Sequence, residues 1–180
     1  MLKKLVLSIS LFILLVSISP LFYFQTYSQQ IQPTTTKVVY ILPYPGILPD
    51  NPLYFLKAAR DKILDFITRD NLQKAQLYLL LSDKRAAMAI LLVKEGKDSL
   101  AVSTISKAEK YALKIPQLLQ AAKEQGSAAS AEFISKVKLS NAKHKEIIDD
   151  FYKSFPQGEQ QSLQEVIDLN QQVKKALTKF

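Results

Sequence analysis

The chain has no cysteine, four glycines and a single histidine in 180 residues. Without cysteine there is no disulfide framework, no lipid-attachment thiol and no thiolate for metal binding or nucleophilic attack. The four glycines fall where turns are expected, so no glycine-rich loop is available to cradle a phosphate, and no serine sits in a glycine-flanked nucleophile elbow. The lone histidine, His144, would need a partner three or four residues away on its own helix to act as a ligand or acid–base group. Those positions hold Ser140, Asn141, Ile147 and Ile148, with no orienting acid in view. His144 therefore reads as a packed or half-exposed helix residue, with a ligand site assembled from another helix as the alternative. Adjacent acids Asp149 and Asp150 diverge by about 100° on a helix and read as solvated surface charge. No catalytic residue, metal ligand or cofactor is expected.

What the chain does have is apolar content, about half of its residues, and enough length for one domain with a real core. The first 24 residues carry a targeting signal. Lys3 and Lys4 precede Leu5 to Phe24, which holds no charged side chain and is close to the roughly 20 residues that cross a bilayer as a helix. The positive-inside tendency would leave the lysines in the cytosol and export the rest. Two outcomes stay open: an uncleaved single-pass anchor, or a signal peptide cut near Ser28 to give a secreted or periplasmic protein. The expected organisation is an anchor or signal over 1–28, a polar tether over 29–42 and an all-helical domain over 43–180.

Pro43, Pro45, Pro49 and Pro52 bias their surroundings away from helix, so Leu42 to Asn51 is expected as an extended arm with Gly46 at its tightest point. Asp50 or Asn51 then caps a helix with Pro52 in its first turn. Five helices follow by periodicity and punctuation. The first, Pro52 to Thr68, gathers Leu53, Leu56, Ile63, Phe66 and Ile67 largely on one side. The second, Asp70 to Glu95, is apolar on more than one face and should be central. The third, Asp98 to Gln125, contains Pro116, which should bend or split it. The fourth, Ala129 to Phe155, and the fifth, Glu159 to Lys179, complete the chain. Short links make successive helices antiparallel neighbours, so the fold class is all-α: an up-and-down bundle of four to five helices preceded by the arm and the N-terminal hydrophobic helix. A repeat array of two-helix units is the rival architecture.

Three runs, LPYPGILPDNPLYFLKAARDK from Leu42, KAQLYLLLSDKR over Lys74 to Arg85 and KHKEIIDDFYKSFP over Lys143 to Pro156, together resemble a bacterial envelope-associated family of unknown function. The likeness spans roughly Pro43 to Phe180. Ser82 replaces an expected alanine, and Phe151-Tyr152 replace more usual aliphatic residues. The resemblance implies an exported all-helical domain and carries over no catalytic residue.

The net charge of +8 does not imply nucleic-acid binding, because lysines and acids interleave along the helices. A residual basic excess would favour weak contact with anionic lipid or an acidic wall polymer. The arm residues Tyr40, Pro43, Tyr44, Pro45, Gly46, Pro49, Pro52 and Tyr54 have two readings: Tyr40, Tyr44, Ile47 and Leu48 cover the bundle, or the segment is displayed to a partner. The leading functional expectation is a membrane-tethered, extracytoplasmic, non-enzymatic module that binds a protein or envelope component. The alternatives are a structural spacer or stabilising subunit without its own ligand, and an enzyme or metal carrier centred on His144.

Overall fold

The computed structural model describes residues 38–180, and the N-terminal hydrophobic run and most of the tether lie outside them. Among the described residues there are six α-helices and no strand: α1 (Tyr54–Ile67), α2 (Asn71–Lys94), α3 (Asp98–Ala112), α4 (Ile115–Glu124), α5 (Ala131–Ser154) and α6 (Gln157–Leu177). No helix among them is long and apolar enough to cross a membrane.

Local chemistry accounts for most of the boundaries. Asp70 caps α2 by accepting the Gln73 N–H at 2.8 Å, and Ser130 caps α5 by accepting that of Phe133 at 3.1 Å. Gly96, at φ +70, receives the chain as it leaves α2, a conformation that most side chains resist. Pro116 splits the expected third helix: α3 stops at Ala112, and α4 begins with the proline in its first turn, where a missing N–H is tolerated. The bundle therefore has one more helix than the five expected. At the first helix the expected cap is only half present. The Asn51 side chain accepts the Leu53 N–H at 2.9 Å, but Asp50 instead pairs with Lys97 at 2.5 Å, and α1 starts at Tyr54 rather than Pro52. Gly158, expected in a connecting turn, lies in the first turn of α6.

α2 is the central element and touches α1, α3, α4 and α5, while α6 returns against α3 and α5. The helices thus close around a shared interior rather than stacking as successive pairs. That interior has two apolar halves. One joins Ala86–Leu92 of α2 to Ile105, Ile148, Phe151 and Leu163; the other joins Ala75–Leu81 to Ile115, Leu119, Val137 and Val173. Between them lie buried polar residues from four helices: Ser82 and Asp83 on α2, Glu109 on α3, Ser140, Asn141 and His144 on α5, and Asn170 on α6. Ser82 uses its hydroxyl within α2, donating to the Leu79 carbonyl at 2.8 Å. Phe151 is buried and stacks on Phe155, with ring centres 5.1 Å apart, while Tyr152 faces outward.

Candidate interaction surface and buried polar layer

The polar layer is built around His144, which is fully enclosed rather than half-exposed. Its Nδ1 lies 2.7 Å from Glu109 Oε1 and its Nε2 lies 3.1 Å from Asp83 Oδ1. The orienting acids that its own helix lacks are supplied by α3 and α2, so the expectation of no acid partner is corrected. Both acids are remote in sequence, 35 and 61 positions away, and a search along one helix face could not find them. Asn170 of α6 donates to Glu109 Oε2 at 3.1 Å and to the Asn141 carbonyl at 3.1 Å. Ser140 donates to Asp83 Oδ1 at 2.6 Å, and Tyr40 of the arm donates to Asp83 Oδ2 at 2.5 Å. One connected network therefore ties α2, α3, α5, α6 and the arm.

Burial alone would push the His144 pKa down. The negative charge of Glu109 and the hydrogen bonds to Asp83 and Glu109 outweigh it and raise the pKa to about 10. An imidazolium held this way is a poor general base near neutrality. The two carboxylates also occupy opposite ring nitrogens, so they do not converge on one point, and among the described residues no three His, Asp or Glu side chains form a metal-binding group. The arrangement serves as a charged cross-link.

The arm packs along the bundle. Leu42 and Pro45 are buried, and Tyr40 and Leu48 pack on the upper core cluster. Val38 is tied to α5: its N–H donates to Glu146 at 3.3 Å, and its carbonyl lies 3.5 Å from Lys143 Nζ. Gly46 turns the chain at φ +72, with Lys57 beside it. The Lys57 ammonium donates to the Pro45 and Ile47 carbonyls at 2.5 and 3.3 Å, and burial lowers its pKa to about 7. Of the other arm candidates, Pro43, Pro49 and Tyr54 are half-buried, whereas Tyr44, Ile47 and Pro52 face outward.

α1 is turned the opposite way from an ordinary amphipathic helix. Asp61 is buried, bonds Arg60 at 2.8 Å and forms an ion pair with Arg85 at 3.7 Å; Asp65 accepts from Tyr78 at 2.6 Å and pairs with Lys74 at 3.3 Å. The guanidinium of Arg85 lies 4.4 Å over the Tyr111 ring. The side of α1 that faces α2 is thus charged, and the apolar stripe faces solvent. Phe66 is 72% exposed, Phe55 64% and Ile63 60%, with Leu53, Leu56 and Ile67 more than half exposed. The spacing at 56, 59, 63, 66 and 67 forms one uninterrupted face. The sequence shows this stripe clearly, but a stripe does not say which way it points.

Fold and surface together define a small all-helical module with a closed polar interior and one helix presenting an apolar face outward. The chain belongs to the family described as "Domain of unknown function (DUF5667)", which matches residues 46–179 and so takes in α1 to α6 and the end of the arm. Nothing matches among curated proteins or among solved structures.

Proposed function

We propose that this chain is a non-enzymatic, extracytoplasmic binding module of the bacterial envelope, tethered through residues 5–24, whose contact surface is the outward face of α1. The observation that carries this reading is the inversion of α1. Large apolar side chains left in water are a standing cost unless something covers them, and patches of this kind mark interaction sites. The arm supports the same reading, since Tyr44 and Ile47 extend the exposed apolar surface beside α1 while Tyr40, Leu42 and Pro45 hold the segment in place. The closed, fully partnered environment of His144 supports a structural role for the polar layer over a catalytic one.

Photo-crosslinking in intact cells tests this reading. A crosslinker at Ile63 or Phe66 should give a dominant adduct that the same group at Lys136, exposed on α5, does not. Absence of any adduct from α1, to protein or to lipid, would leave the structural spacer as the better account.

A further inference from the structure

Resting on the reading of α1 as a contact surface, we infer that what covers it is the surface of an anionic lipid bilayer, with α1 lying in the headgroup region and its apolar face toward the acyl chains. The first argument is the charge at the edges of the face. From Tyr54 to Arg69 the cations are Lys57, Arg60, Lys62 and Arg69, and the only acids are Asp61, buried between Arg60 and Arg85, and Asp65, engaged by Tyr78 and Lys74 of α2. Arg60 and Lys62 flank the stripe on its two sides, Arg60 half-exposed and also bonding the buried Asp61 at 2.8 Å. Arg69 lies 5.3 Å over the Phe66 ring, the disposition of a cation whose stem runs along apolar surface while its head stays in water.

The second argument is the cleft that opens at the C-terminal end of α1. It has a volume of about 880 Å³ and is lined by Phe66, Lys62, Arg69, Lys74, Lys114 and Tyr78 among others. Asp65 also faces it, already engaged by Tyr78 and Lys74. Lys114 sits over the rings of Tyr78 and Tyr111 at 5.4 and 5.7 Å. A basic cleft continuous with an apolar face is the combination that an anionic headgroup and its acyl chains require together.

Two other occupants fit less well. A second copy paired through α1 about a two-fold axis would set Arg60 and Lys62 against the same cations of its mate. The uncharged run at residues 5–24 would cover the apolar stripe but leave its cationic edges unanswered.

The chain contains no tryptophan, so Phe66→Trp in the full-length protein gives a single reporter on the exposed face. In vesicles of phosphatidylcholine with phosphatidylglycerol, the emission should shift to the blue and be quenched by brominated acyl chains. In vesicles of phosphatidylcholine alone it should stay solvent-like, however residues 5–24 are held. Lys62→Gln and Arg69→Gln should each weaken the quenching about fivefold, the scale of one cation at a lipid surface. Equal quenching in neutral and anionic vesicles, or none in either, overturns the inference. A blue shift that grows with protein concentration without lipid also overturns it, in favour of a second copy. A dominant protein adduct from the crosslinker at Phe66 with no quenching overturns the lipid assignment while leaving the binding-module reading intact; neither adduct nor quenching removes both.

Discussion

At the scale of single residues the decisive group is His144, and its behaviour follows from two partners on other helices. Its folded pKa of about 10 exceeds the ordinary value of 6.5, so its contribution to stability is complete below about pH 6.5 and is lost as the pH climbs through 10. Because it is the only histidine, its ring proton resonance is unambiguous and should not titrate between pH 5 and 8. Lys57 and Lys84, both lowered by burial, push stability the other way over much of the same range. The useful quantity is therefore the difference between wild type and His144→Gln in urea unfolding, which should shrink as pH rises from 6.5 to 10. A histidine resonance with a midpoint near 6.5 would refute the cross-link. The partner interaction at the other end of Asp83 is milder. Tyr40→Phe removes one hydrogen bond to a carboxylate that keeps Ser140 and His144, and should cost about 1–2 kcal/mol. The same change should speed proteolysis between residues 38 and 51, because Tyr40 is a main attachment of the arm; unchanged cleavage would show that Leu42 and Pro45 suffice. None of this was legible along the helix that carries His144, since the network is a product of tertiary packing.

At the scale of elements, α1 makes a prediction contrary to the usual sense of an amphipathic pattern. Ile63→Ser and Leu56→Ser, on the exposed stripe, should change unfolding free energy by about 0.5 kcal/mol or less, because those side chains lose little burial. Asp61→Ala leaves the nearly buried Arg85 without its carboxylate and with the like-charged Arg60 nearby, and should cost about 3 kcal/mol. The reverse order in a denaturant series would mean that the stripe is covered within the fold. The helices themselves were readable because their ends are written locally: the cap at Asp70, the left-handed turn at Gly96 and the break at Pro116 all depend on neighbours within a few residues. The direction of α1 depends instead on Asp61 meeting Arg85 and Asp65 meeting Tyr78, contacts between helices that no local pattern encodes.

At the scale of the whole molecule, stability should be graded from the outside inward. α2 packs on four other helices, and the polar layer fastens it to α5 directly and to α3 and α6 through His144 and Glu109. α1 touches mainly α2, through a short series of ion pairs and hydrogen bonds, and leaves its own apolar face outside. It has therefore little buried area to lose on detaching, and local opening of α1 should cost less free energy than unfolding of the bundle. Native-state hydrogen exchange should show amides of α1 exchanging through a low-energy opening, while those around Leu79–Ala89 exchange only with global unfolding. Equal protection in the two helices would contradict this hierarchy. The hierarchy also bears on how the surface works. A helix that opens cheaply in water gains the most from a second contact, so anionic vesicles should slow exchange in α1 and leave the centre of α2 unchanged. Uniform slowing across the chain would instead point to stabilisation of the whole fold, with no special part for the outward face of α1.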